Sequence, residues 1–351
     1  MNLARIAARA LIACAALVAC GEDGGNEARV VGDGGTDAAA PLDGAVLPAD
    51  ASVDAPRLAA TWSSRPSLPA AQQEVAVVAL GGKLYVIGGF APAEVPTSIV
   101  SVLDPSTGLW STAAPLPRPM HHINAAVAGG KIWVVGALVD AAFGAIGTTL
   151  AYDPAANSWT PSTAMPLGTE RGASMVAAIG DVVYVAGGSR PGASVADFSA
   201  FDTRTAVWTA LPPLPAARDH GAGLTIGGLF YAIGGRDGAG HTTRVDVFDP
   251  LTSTWSSRAP MPTSRAGSAA AVLKGLAVIA GGEGNTASPV GMFDEVEAYD
   301  PARDAWSILP AMTTPRHGTG AATIGDVMFV PGGGVRAGHG ATAVVESLTI
   351  P

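Results

Sequence analysis

Residues 255–265 read Trp-Ser-Ser-Arg-Ala-Pro-Met-Pro-Thr-Ser-Arg, and the tryptophan that opens this stretch has counterparts on both sides. Trp62, Trp110, Trp159, Trp208, Trp255 and Trp306 follow one another at steps of 48, 49, 49, 47 and 51 residues, while Trp133 stands off the series. A period of that length means one small supersecondary unit used repeatedly, each copy too small to bury its apolar face alone. A second landmark keeps the same phase: Gly88-Gly89, Gly136-Ala137, Gly187-Gly188, Gly234-Gly235, Gly281-Gly282 and Gly332-Gly333. Short runs rich in β-branched and aromatic residues precede these doublets, such as Leu84-Tyr85-Val86-Ile87 and Val182-Val183-Tyr184-Val185, as expected of strands. Between doublet and tryptophan comes a turn at Asp104-Pro105, Asp153-Pro154, Asp249-Pro250 and Asp300-Pro301, with Asp202-Thr203 as the variant. Each unit therefore reads as four short strands joined by turn chemistry.

The order of small-residue strand, aromatic strand ending in Gly-Gly, strand ending in Asp-Pro, tryptophan strand, then Pro-x-Pro and Arg resembles the Kelch repeat over residues 58–351. The resemblance implies an all-β fold, a six-bladed β-propeller with four antiparallel strands per blade around a central channel. Helical solenoids share such periods, but the Gly and Pro load and the lack of helical periodicity argue against them. Trp62 precedes every doublet, whereas the last doublet is followed by Ala343-Val344-Val345-Glu346-Ser347-Leu348 and no tryptophan. The N-terminal end of the domain is thus expected to supply the outer strand of the last blade, which removes two exposed sheet edges.

Residues 1–20 carry Arg5 and Arg9, an apolar run from Ala10 to Val18, then Cys20. This is the pattern of an export signal, too short for a permanent span, and Leu17-Val18-Ala19-Cys20 resembles a bacterial lipobox with Cys20 as the acylated residue. Gly21 after the cysteine favours the outer membrane as destination, with the membrane reached through the lipid anchor only. Residues 21–57 hold eight acidic residues, two arginines and no aromatic side chain, a composition expected to form a disordered tether. Subtracting the 8 acids and 4 bases before residue 58 from totals of 29 and 20 leaves 21 and 16, a net charge of −5 on the repeat domain. That sign disfavours nucleic acid as a partner. Cys14 and Cys20 are the only cysteines, so the repeat domain has neither disulfide nor cysteine-bound metal.

The strands expected to line the channel are built from small residues, as in Asn124-Ala125-Ala126-Val127-Ala128 and Ser268-Ala269-Ala270-Ala271-Val272. The periodic tryptophans are read as packing residues between blades, and the tyrosines Tyr85, Tyr152, Tyr184, Tyr231 and Tyr299 as strand residues of the blades.

Function is sought on the loops, because propellers host unrelated activities. The resemblance implies that two loop sets share one face: the loop from an outer strand to the next inner strand, and the loop after each doublet. The first set contains Gln72, Arg118, Arg171, Arg218, Arg265 and Arg316, expected as a cationic ring at the channel mouth, accompanied by Glu74, Glu170 and Asp219. The histidines His121, His122, His220, His241, His317 and His339 fall in the same two sets, and the second set adds Arg190, Arg236, Asp237, Glu283 and Arg336. Arginine can hold a carboxylate bidentately and histidine adds a titratable group. A protein segment or glycan bearing carboxylates, such as an acidic peptide or acidic sugar, is the ligand expected for such a ring. No cofactor is expected. No metal site is expected either, since adjacent histidines rarely ligate one ion and no ligand-spaced carboxylate motif accompanies them. The favoured reading is a tethered monomeric binding module. The alternative is a sugar epimerase or mutarotase of the sialic-acid type found among periplasmic Kelch propellers, with Glu170 or Glu283 and a loop histidine as acid and base. Kelch copper oxidases resemble the chain less, for the repeat domain lacks their cysteine and loop tyrosine.

Overall fold

The computed structural model describes residues 55–191 and 193–351. The lipobox at Cys20 and most of the expected tether lie outside the described residues. Among the described residues, six four-stranded antiparallel sheets follow one another. In blade I the strands are Ala76–Leu80, Lys83–Ile87, Val100–Asp104 and Leu109–Thr112, ordered from the channel outward. The inner strands of the next five blades are Ala125–Ala128, Met175–Ile179, Ala222–Ile226, Ala269–Leu273 and Ala322–Ile324. They neighbour one another in a closed circle. Small side chains allow that convergence and leave a channel cavity of about 450 Å³. The apolar cores lie between adjacent blades, where Tyr85, Ile87, Val102, Ile132, Val134 and Tyr152 form one such cluster. All five tyrosines are buried in the blades.

The last blade is completed from the N-terminal side. Thr61–Arg65 pairs antiparallel with Val345–Thr349, with Thr61 opposite Thr349 and Arg65 opposite Val345. Pro56 and Arg57, expected within the tether, instead run beside the outer strand of blade V: the Leu58 amide donates to the Ile308 carbonyl and the Ile308 amide to the Pro56 carbonyl, each at 2.9 Å. The folded unit thus begins before residue 58, because this backbone pairs with the free edge of the Ala305–Leu309 strand.

Three circles of hydrogen bonds stitch blade to blade. On the outside, each periodic tryptophan donates its indole N–H to a carbonyl of the preceding unit: Trp110 to Pro66, Trp159 to Ala114, Trp208 to Thr163, Trp255 to Pro212 and Trp306 to Ala259. Trp62 donates to Pro310 at 2.9 Å and closes the circle. In the middle, the amide of the second doublet glycine donates to the next unit, as Gly188 does to Arg218 at 3.0 Å and Gly333 to Gln72 at 2.8 Å. Both glycines of the 187–188 doublet have positive φ, and a Cβ on Gly187 would collide with the Arg218 carbonyl. Blade II, with Gly136-Ala137, departs from this: its second and third strands run on as Lys131–Val139 and Gly144–Asp153. There the buried Asn124 side chain takes the missing role, donating to the Arg171 carbonyl at 2.9 Å.

The innermost circle surrounds the channel mouth. The amides of Glu74, His122, Ala173, His220, Gly267 and Gly318 donate in turn to the carbonyls of Gly318, Glu74, His122, Ala173, His220 and Gly267, at 2.5–3.1 Å. All six residues sit in the left-handed region, with φ between 49° and 63°. Only glycine adopts that conformation freely.

The Asp-Pro landmark proves to be an aspartate signal. In five blades the carboxylate of Asp104, Asp153, Asp202, Asp249 or Asp300 accepts the amide two residues on, forming an Asx turn. Proline is dispensable there, which is why Asp202-Thr203 serves equally well.

Candidate functional site at the channel mouth

Four of the five expected ring arginines are not at the mouth. Arg171, Arg218, Arg265 and Arg316 are 0–1 % exposed and lie inside the blades. The Nε–H of Arg171 donates to the Gly187 carbonyl at 2.9 Å, its Nη1 to Thr169 and its Nη2 to Val185 and Ser199. Arg218 repeats this toward Gly234, Ala216 and Ala232, and pairs with buried Asp246 at 2.9 Å. Arg265 pairs with Glu297 at 2.8 Å and Arg316 with Glu346 at 2.5 Å. These guanidinium groups satisfy carbonyls exposed where the doublet ends a strand, and no other side chain could reach so many at once. Burial lowers Arg171 to about 10, so even without a directly paired carboxylate it remains a cation at neutral pH.

Gln72 fills the same place in blade I, its Nε2 donating to Gly88 at 2.8 Å. In blade II the place belongs to Met120, fully buried, and not to Arg118, which is exposed. Glu170 also stands apart, its carboxylate accepting the Gly168 amide at 2.8 Å.

His122, His220, Arg236, Glu283 and His317 do come together, and Glu74 and Asp219 join them. His122 and His220 meet ring to ring at 5.0 Å, and His122 Nε2 lies 3.2 Å from Glu74 Oε2. The His220 Nδ1–H donates to Asp219 at 2.5 Å. Arg236 pairs with Glu283 and approaches Asp219 at 3.4 Å. His317 Nδ1 stands 3.3 Å from Glu283 and 3.8 Å from Glu74. Behind them His121 stacks on Phe90 at 4.1 Å, with Phe143 at the tip of the long blade II hairpin packing on both histidines.

Burial holds His122 well below the usual imidazole range, helped by neighbouring His220, His121 and Arg236. Burial lowers His121 as well. Burial pulls Asp219 upward, yet the hydrogen bonds from His220 and Ser194 and the Arg236 charge together outweigh it and hold the carboxyl below its ordinary value. A buried, strongly coupled set of acids, bases and one cation at the end of a channel is the kind of place where ligands are held or protons moved.

The six left-handed positions explain the convergence. Cβ bonds at equivalent places on a six-fold ring aim toward its axis, so Glu74, His122 and His220 meet although they sit on three different loops. Sequence reasoning found the histidines and Glu283 as loop residues. It missed Glu74 as their partner, though the signal was present: Glu74, His122 and His220 each stand two residues beyond Gln72, Met120 and Arg218, at the same register.

Comparison with known proteins agrees with this architecture. The family described as KLHDC2/KLHL20/DRC7 Kelch-repeats domain matches residues 58–214 and, in a second alignment, 161–333. Kelch-like protein terF of Aspergillus terreus (strain NIH 2624 / FGSC A1156) is 34% identical over 313 residues, covering 83% of this chain and 68% of that protein. The solved structure described as "Structure of YjhT" superposes with a TM-score of 0.67, covering 81% of this chain and 97% of that one, and at 17% identity it speaks for the fold alone. With six blades closed by an N-terminal strand, doublets and tryptophans riveting each blade to the next, and family and relative both matching, the chain belongs to the Kelch-repeat family.

Proposed function

We propose that the protein is an exported, lipid-anchored binding module that captures a protein segment on the face formed by the loops after the doublets. The observation that carries this reading is the make-up of that face. Val95, Phe143, Val290 and Val335 are exposed at 37–56 % on four of the six loops, surrounding a polar floor of buried His122 and half-buried Glu74, His220 and Glu283. An apolar rim around hydrogen-bonding groups is the anatomy of a protein contact surface. A cleft of about 670 Å³ lined by His241, Asn285, Val290 and Arg336 adds a pocket for an anchoring side chain. An anionic ligand has less support, since four of the five arginines that suggested it are held inside the blades and Arg236 is already answered by two carboxylates.

The test is a peptide and glycan array probed with the chain lacking its first 54 residues. Peptide binding that disappears in a Phe143→Ser, Val290→Ser variant of unchanged melting temperature supports the reading, whereas binding confined to glycans or unchanged in that variant overturns it. The anchor is supported by the lipobox-like Leu17-Val18-Ala19-Cys20 and is tested separately: Cys20→Ser is expected to abolish metabolic labelling with a fatty acid and release from the outer membrane fraction by detergent. The pair of half-buried Glu283 and buried His317 at 3.3 Å favours a sugar epimerase or mutarotase as second reading, which proton NMR of candidate sugars would reveal as turnover.

A further inference from the structure

We infer that Glu74, His122 and His220 form a site for one divalent transition-metal ion at the channel mouth. This is independent of what the rim binds.

One ligand atom from each of the three side chains lies within 4.8 Å of the other two. The His122 Nε2 to Glu74 Oε2 separation of 3.2 Å is already that of two ligands about 2.0–2.1 Å from a tetrahedral ion.

Hydrogen bookkeeping points the same way. The Asp140 carbonyl can only accept, so His121 Nε2, 3.0 Å away, carries the hydrogen. His121 Nδ1 then offers a lone pair to His122 Nδ1 at 2.6 Å, and His122 Nδ1 is the donor. That leaves a lone pair on His122 Nε2 facing the Glu74 carboxylate, two acceptors that a cation would join. His220 is oriented in the same manner. Its Nδ1–H is spent on Asp219, so Nε2 turns a lone pair inward. Arg236 Nη2 reaches that nitrogen only at 3.4 Å, while its Nη1 and Nε face Glu283 and Asp219. Both imidazoles thus have their outer nitrogens fixed by neighbours, the arrangement that presents histidine to a metal.

The charge balance also favours a cation. Glu74, Asp219 and Glu283 bring three carboxylates to the cluster, against the single guanidinium of Arg236. Two imidazoles and one carboxylate suit zinc, iron(II) or related ions over magnesium or calcium, and three protein ligands leave a position open for a further group.

The backbone offers a clean test. Because His122 and His220 sit at φ 49° and 52°, glycine relieves strain there, and Gly267 and Gly318 hold equivalent ring positions naturally. His122→Gly and His220→Gly therefore remove a ligand while relieving backbone strain, and the melting temperature of each metal-free variant checks that the fold is kept. The full chain, stripped with EDTA, is titrated with ZnCl₂ and separately with CoCl₂, read by calorimetry, melting temperature and the visible absorption of bound cobalt. One equivalent is expected to bind and raise the melting temperature, each glycine variant to lose more than about 100-fold in affinity, and Asp219→Asn to lose roughly 10- to 100-fold. Calcium is expected to give no shift. Absence of zinc and cobalt binding in the parent overturns the site, with a proton on His122 then filling the gap to Glu74. Binding left unchanged by both glycine variants overturns it equally, by placing the ion elsewhere.

Discussion

At the scale of single residues, the buried arginines form a series within one chain. In five blades the partner of the arginine place is the second residue of the third strand: Asp246, Glu297 and Glu346 oppose Arg218, Arg265 and Arg316, Ser199 opposes Arg171 and Ser101 answers Gln72, while in the longer third strand of blade II Thr149 holds the equivalent register beside Met120. In three blades the charge thus appears as a pair and in two it is replaced on both sides, while Arg171 alone faces a hydroxyl and is held by the carbonyls of Gly187, Thr169 and Val185; an uncompensated buried ion is costly. Arg316→Met is expected to cost about 3–5 kcal/mol in urea unfolding, because Glu346 is left buried and unpaired. Adding Glu346→Thr, which copies the Met120 and Thr149 arrangement of blade II, is expected to recover most of that loss. Arg118→Ala is expected to leave the urea midpoint unchanged. This pairing is also the reason the arginines were misplaced when read from sequence. Spacing put them on the correct loops, but it does not say whether a side chain turns outward to the channel or back into its blade. The discriminating signal was a carboxylate 28 to 32 residues downstream, which only the pairing of strands makes meaningful.

At the scale of elements, the repeat tolerates a broken rule wherever a neighbour can restore the lost bond. Asn124 does so for the missing second glycine of blade II. Asn124→Leu should therefore destabilise the domain by about 1–3 kcal/mol, the penalty of leaving the buried Arg171 carbonyl unanswered. The ring of left-handed residues makes the opposite case. Ala173 holds φ 52° with no side-chain role at the mouth, and Ala173→Gly is expected to stabilise the domain by about 0.5–1 kcal/mol in the same assay. Strands, doublets and Asx turns were all legible because each depends on residues close in sequence. The mouth cluster was legible only in part. Its members come from loops one or more periods apart, and what unites them is a backbone conformation that residue type alone does not announce.

At the scale of the whole molecule, closure is the property on which the rest depends. Trp62 is only half-buried, so Trp62→Ala is expected to cost about 2 kcal/mol, less than a fully buried tryptophan. Removing residues 55–65 should do far more, stripping the outer strand from blade VI and the pairing of Pro56 to Leu58 from blade V. Calorimetry is expected to show the single cooperative transition replaced by a broad one at lower temperature, and an unchanged transition would contradict the closing strand. That closure was readable from the order of landmarks, since a circle cut anywhere leaves its repeat out of phase at both ends. The same pairing sets a clock. Thr61 waits for Thr349, its partner 288 residues later, and at about 5–20 residues per second that amounts to roughly 15–60 seconds of synthesis. During that interval five blades can form while the first strand stays single and the first inner strand lacks its neighbour. The nascent chain therefore carries unsatisfied strand edges for most of its manufacture, and its vulnerability to aggregation is set by elongation and release more than by the stability of the finished ring.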